Sequence, residues 1–114
     1  MENTNTRQQK IAKQIQRDIA EIIQREYSAA LRGTLVTVTT VRVSVDLAYA
    51  KIYVSVFPFD KATATLAFLG EQNRAIRGAL GNRMRNQVKS IPELQFFIDD
   101  SLEYIENIDN LLSK

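Results

Sequence analysis

Cysteine and histidine are absent from all 114 residues. Their absence removes disulfides, thiol nucleophiles, zinc sites built on Cys or His, and imidazole acid–base catalysis. Proline occurs twice, at Pro58 and Pro92, and glycine four times, at Gly33, Gly70, Gly78 and Gly81. Breaks in regular structure are therefore expected at few places. No apolar run approaches the roughly 20 residues that span a bilayer, and the N-terminal residues show neither a signal-peptide core nor a transit-peptide composition. What remains is an ordinary globular composition, with apolar residues at 45% and charged residues at 25%, in a length that suits one domain. A small cytoplasmic protein fits these features.

The formal charge is only +2, yet it is unevenly placed. Arg74, Arg77, Arg83, Arg85 and Lys89 fall in one stretch that contains no acid, whereas Glu93, Asp99, Asp100, Glu103, Glu106 and Asp109 crowd the chain after it. Such segregation suits one face for a polyanion and another that avoids it. At about 100° per residue, Ile76, Leu80 and Met84 stack on one side of a helix, with Val88 at its edge. Arg74, Arg85 and Lys89 gather opposite, with Gly78 and Gly81 among them. Arg83 falls nearer the core side and reads as a helix-edge residue over apolar surface. The spacing predicts a helix running to Lys89, stopped by Ser90-Ile91-Pro92.

Residues 1–6 are polar and expected to be disordered, leaving 7–114 as a single domain. Thr6 and Gln9 fit a capping box. Ile11, Ala12, Ile15, Ile19, Ile22 and Ile23 then predict an amphipathic helix to about Glu26, with Arg7, Lys10, Lys13 and Arg17 on its polar side. From Thr34 the period changes to two. Val36 and Val38 alternate, the phase slips at Thr39-Thr40, and Val41, Val43 and Val45 alternate again, which predicts a bulge. Asp46-Leu47 supplies a turn. Tyr49 to Phe57 is a second strand, with Ala50, Ile52, Val54 and Val56 facing inward and Tyr49, Lys51, Tyr53 and Ser55 outward. Asp60 is the expected cap of a helix over Lys61–Leu69, with Leu66 and Leu69 in the core. Gly70 to Asn73 interrupts that helix before the basic one. Leu94–Ile98 is a third strand, with Phe96 and Phe97 on opposite faces. Asp100 and Glu103 cap a short C-terminal helix carrying Leu102, Ile105, Ile108 and Leu112.

Three strands with helices on one face make an α+β sandwich. The order α-β-β-α-kink-α-β is that of the type II KH-like arrangement. The residues VTVTTVRVSVDLAYAKIYVSVF at 36–57 and IRGALGNRMRNQVKSIPELQFFIDDS at 76–101 carry a closer likeness, as does IAKQIQRDIAEIIQRE in the first helix. With the SxDL turn (Ser44, Asp46, Leu47), they resemble ribosome-binding factor A, a family of small-subunit assembly factors. The resemblance implies a KH-like RNA-binding protein without catalysis or cofactor. It would bind the immature small (30S) ribosomal subunit and 16S rRNA and support late maturation and 5′-end processing, notably in the cold. It would leave the mature subunit, in some bacteria with help from a ribosome-associated GTPase. The family's Ala-x-Gly kink falls at Gln72-Asn73-Arg74, where neither small residue is present, so Gly70 or Asn73 is expected to supply the unusual backbone angle.

The candidate RNA-binding residues are Arg7, Lys10, Lys13 and Arg17 on the first helix, and Asn73, Arg74, Arg77, Gly78, Gly81, Arg85 and Lys89 at the second basic element. Cations in these positions contact phosphates with little base discrimination. Gly78 and Gly81 form a literal GxxG, but inside a helical pattern, where they let another helix or an RNA backbone come close. Tyr49 and Tyr53 suit cross-strand packing better than base stacking. Asp99 and Asp100 diverge as strand neighbours and do not make a metal pair. The chain is expected to act as a monomer. A protein-interaction or dimerisation module, using the outer sheet face or the acidic C-terminal segment, is the alternative from another functional class.

Overall fold

The structure is a computed structural model, and it describes residues 6–99. In chain order it comprises α1 (Thr6–Tyr27), β1 (Leu35–Val43), β2 (Tyr49–Phe57), a 3-10 turn at Phe59–Lys61, α2 (Ala62–Glu71), α3 (Asn73–Met84) and β3 (Glu93–Ile98). The sheet order is β1-β2-β3, with β2 in the centre; β1 runs antiparallel to it and β3 parallel. This is the expected KH-like α+β order. The C-terminal helix expected from Leu102, Ile105, Ile108 and Leu112 lies outside the described residues.

The valine phase slip has the predicted structural result. Val38 pairs with Val54 and Thr40 with Tyr53, so Thr39 is the extra residue of a bulge. Its hydroxyl meets both the Tyr53 carbonyl, at 3.2 Å, and the Asp99 carboxylate at the end of β3. Val45, expected to continue the strand, instead sits 75% exposed in the hairpin turn. There Ser44 Oγ accepts the amides of Ala48 and Tyr49, and Asp46 Oδ1 accepts the Ala48 amide, leaving Leu47 at φ 61°. The side-chain acceptors hold the turn that lets a non-glycine residue take this angle. The donors to Asp46, the Ser44 hydroxyl first and the Ala48 amide after it, hold its carboxyl below the ordinary range.

All described helices cover one sheet face. Ala50, Ile52, Val54 and Val56 point into a core completed by Ile15, Ile19, Leu69, Ile76, Leu80 and Met84. Thr6, expected as a cap, is already helical. At α2 the expected Asp60 cap is replaced: Lys61 occupies the cap position without a side-chain bond, because a 3-10 turn precedes the helix. Ala62, Thr65 and Leu69 are its buried residues, while Leu66 is half-buried. Tyr27 and Phe68 meet edge to face at 5.5 Å and join the end of α1 to α2.

Both sheet edges are met by side chains. Gln8 Nε2 donates to the Val43 carbonyl at 2.7 Å, and Gln16 Nε2 donates to those of Val38 and Thr39 at 3.2 and 3.3 Å. On the other edge Asn73 Nδ2 donates to Leu94 O at 2.9 Å. Edge carbonyls that would otherwise template a further strand are thereby partly occupied.

Arg83 does not simply lie over apolar surface. Its guanidinium reaches α1, pairing with Glu21 at 2.6 Å and with Asp18 at 3.3 Å. Asp18 is buried on the isoleucine side of α1, where an unpartnered carboxylate would be costly. The Arg83 hydrogen bond holds the Glu21 carboxyl below its ordinary 4.5. A depressed folded-state pKa contributes stability that is present above the unfolded value and fades as pH falls through the folded one. The stability difference between wild type and Glu21→Gln in urea titrations should therefore be present at pH 7 and close as the pH drops below about 4.5. Leu80, with no exposed surface, offers a check on the core: Leu80→Ala should lose about 2–5 kcal/mol in the same titrations.

Candidate nucleic-acid interface

The corner between α2 and α3 builds the most promising site. Helix α2 ends at Glu71, Gln72 departs from helical ψ (φ −91°, ψ 6°), and α3 starts at Asn73. Neither Gly70 nor Asn73 adopts a positive φ, so the expected unusual angle is not used. A single residue near the bridge region is enough to redirect the chain.

Because Ile76, Leu80 and Met84 are fully buried, the opposite side of α3 is turned outward. It forms one wall of a groove of about 830 Å³, lined by Gly70, Glu71, Asn73, Arg74, Arg77, Gly78, Gly81 and, across from them, Ile91, Glu93 and Leu94. Five of the sequence-predicted residues thus meet in one place. Their roles differ. Arg77 donates from Nε to Pro92 O at 3.0 Å and from Nη2 to Ile91 O at 2.6 Å. With Asn73 on Leu94, it fixes the far wall of the groove. Two of the five guanidinium N–H donors are committed in this way. Arg74 is exposed and has no ion-pair partner among the described residues. Gly81 sits against Ile91, where an added Cβ would lie 3.4 Å from Cγ1, whereas at Gly78 nothing comes within 4 Å. The GxxG is therefore helical: one glycine admits the neighbouring chain and the other leaves the groove wall bare.

Arg85 and Lys89 stand outside this groove and outside the helix. Helix α3 ends at Met84, not at Lys89. The Gln87 and Val88 amides both turn back to the Met84 carbonyl, tightening the last turn so that Val88 enters the core. Arg85 and Lys89 remain exposed beyond it. The α1 cations form a separate surface. Arg7, Lys10, Lys13 and Arg17 are all on the solvent side of α1, and Lys13 borders a second cleft of about 520 Å³ with Gln9, Gln16 and residues 39–43 of β1. No described residue of α1 lines the α2–α3 groove. Tyr53 packs against Phe97 across the strands, centroids 5.4 Å apart and planes at 27°, as expected.

Sequence reasoning missed Glu71 and Glu93 in the groove, which place two carboxylates beside the arginines and restrict where an anion can lie. It also missed Asp18 as Arg83's partner. The available signal was an acid three residues after Ile15 and four before Ile22, on the apolar stripe of α1. Among the described residues no cluster of acids suits a metal ion, and no helix is long and apolar enough to cross a membrane.

Comparison with known proteins agrees with this architecture. The family model described as Ribosome-binding factor A matches residues 7–112. The ribosome-binding factor A of Flavobacterium johnsoniae is 42% identical over 108 residues, 94% of this chain and 83% of the relative. That of Christiangramia forsetii is 41% identical over 110 residues, 96% of this chain and 83% of the relative. The crystal structure of the Thermus thermophilus factor superposes with a TM-score of 0.69 at 28% identity, covering 82% of this chain and 98% of that one. Coordinates of the T. thermophilus factor fitted into a cryo-EM map of its 30S complex give a TM-score of 0.60 at 32% identity, over 75% of this chain and 88% of that one. On the match along nearly its whole length, this chain belongs to the ribosome-binding factor A family.

Proposed function

We propose that this protein is a non-catalytic assembly factor that binds the immature small ribosomal subunit through 16S rRNA. The observation that carries the reading is the α2–α3 groove, where Arg74 and the free donors of Arg77 flank a bare glycine wall at the start of a helix. The N-terminal end of α3 has no side-chain cap, so its dipole adds positive potential where Asn73 and Arg74 line the groove. A phosphate backbone entering there meets cations along one wall, while Glu71 and Glu93 repel it from the rest. Arg85 and Lys89 extend the cationic track beyond α3, and the α1 cations Arg7, Lys10, Lys13 and Arg17 offer a second contact with a separate stretch of RNA. Recognition of this kind follows RNA shape more than base identity.

The family membership and the fitted 30S complex of the T. thermophilus factor support the choice of partner. Under this reading the protein acts in the cytoplasm as a monomer, assists late maturation and 5′-end processing of 16S rRNA, notably in the cold, and leaves with or without a GTPase.

Binding to purified small subunits across a salt series should be tight and should weaken steeply with salt. Arg74→Glu/Arg85→Glu should weaken it at every salt and flatten the slope of log affinity against log salt by about 0.7–0.9 per phosphate contact removed. Salt-steep binding unchanged in the variant would move the site to α1. No binding at any salt would remove the small subunit from the reading.

A further inference from the structure

The α2–α3 groove holds charges of both signs that do not neutralise each other. Arg74, Glu71 and Glu93 all line it and all are exposed. Among the described residues, none of the three lies within ion-pair distance of an opposite charge. Arg77, the other cation of the groove, gives two donors to the carbonyls of Pro92 and Ile91 and pairs with neither acid. A cation and two carboxylates held apart in one groove of about 830 Å³ suit a ligand that is itself divided. Such a ligand is anionic at one end and carries N–H donors at the other. The groove is within the range of about 300–1,000 Å³ that small-ligand sites occupy, and a nucleotide with a donor-bearing base has this division.

Position assigns the two ends. Arg74 is in the first turn of α3, whose N-terminal end has no side-chain cap, so the phosphate belongs there. Glu71, the last residue of α2, keeps an anion from sliding toward that helix's C-terminal end. Glu93, the first residue of β3, lies across the groove. Its amide donates to Ala48 O at 2.9 Å, and the next carbonyl, that of Leu94, is held by Asn73 Nδ2 at 2.9 Å. The exposed carboxylate therefore stands on a fixed stretch of backbone. Between the two ends Gly78 offers no side chain, and a Cβ there would meet nothing within 4 Å, so a planar ring can lie against the helix.

The four bases differ in what they show a carboxylate. Guanine has N1–H and N2–H2 side by side on its Watson–Crick edge, where one carboxylate accepts two parallel charge-assisted bonds. Its O6 and N7 accept from a guanidinium such as that of Arg77, which keeps donors beyond those already committed. Adenine and cytosine show one amino group with a ring acceptor beside it. Uracil shows one N–H between two carbonyl oxygens, which a carboxylate repels.

We propose that the groove reads one unpaired guanine in RNA, with Arg74 at its phosphate and the Glu93 carboxylate on the N1–H and N2–H2 donors. The inference rests on the groove being an RNA site, and it adds a base preference at one position to recognition that otherwise follows shape.

Amide shifts of the isotope-labelled full chain, followed by NMR during titration with single-stranded RNA, give affinity and location together. The hexamer UUUGUU should bind at least about fivefold more tightly than hexauridine, with the largest shifts at Asn73, Gly78 and Leu94. Inosine in place of the guanosine lacks the N2 amino group and should remove most of that preference. Glu93→Gln should narrow the gap between the two hexamers while the amide spectrum stays dispersed. Equal affinity for the two hexamers would overturn the proposal, and so would a guanosine preference that inosine and Glu93→Gln both leave intact. Binding of neither hexamer at millimolar concentration, with small subunits still bound, overturns the guanine reading alone. Loss of small-subunit binding as well removes the RNA reading on which it rests.

Discussion

The buried stripe of α3 is the constraint on which the arrangement depends. Ile76, Leu80 and Met84 lose all contact with solvent between α1, α2 and the sheet. Three such side chains allow one rotation of the helix about its axis. Arg83, at the border of the stripe, is tied to Asp18 and Glu21 of α1 and sets the same rotation from a second direction. Once it is set, Arg74, Gly78 and Gly81 have to point away from the core. The groove is thus a consequence of packing, and its glycine wall exists because the opposite side of the helix is filled.

The other wall is held by polar groups whose first duty is structural. Asn73 and Arg77 bind carbonyls of Leu94, Pro92 and Ile91. They keep the approach to β3 alongside α3, where a proline-containing segment would otherwise have little to hold it. Gln8 and Gln16 do comparable work on β1. A neutral amide can donate to an edge carbonyl without bringing a charge into a part-buried position, which suits these places better than lysine. Arg77 combines the two demands, since its fork leaves donors for the groove after two carbonyls are met.

Local periodicity makes most of the fold legible. The switch from the isoleucine steps of 11–23 to alternating valines marks α1 and β1, and the break in valine phase marks the bulge at Thr39. The likeness in residues 36–57 and 76–101 then places the pieces in a family. What stays hidden depends on contacts distant in sequence or on choices among equally good local options. Arg83 and Asp18 are far apart in the chain, and nothing near either residue names the other. Periodicity carries α3 on to Lys89 because residues 85–89 are all acceptable in a helix, with Val88 continuing the stripe; the structure ends the helix at Met84 and still buries Val88. At the candidate site, the cations and glycines are visible in the sequence, but the division of labour among them is not. Whether an arginine faces RNA or a neighbouring carbonyl is decided by where the chain returns.

The most direct test is a contact measured from the groove itself. Gly78 is suited to it, because a Cβ there meets nothing within 4 Å and the chain has no competing thiol. A thiol-attached photo-crosslinker at Gly78→Cys, illuminated in the complex with small ribosomal subunits, is compared with the same probe at Ser28→Cys, exposed just beyond the end of α1. Crosslinks to 16S rRNA from position 78 and not from position 28 are expected. Crosslinks from position 28 with position 78 silent would contradict the groove as the surface that meets RNA.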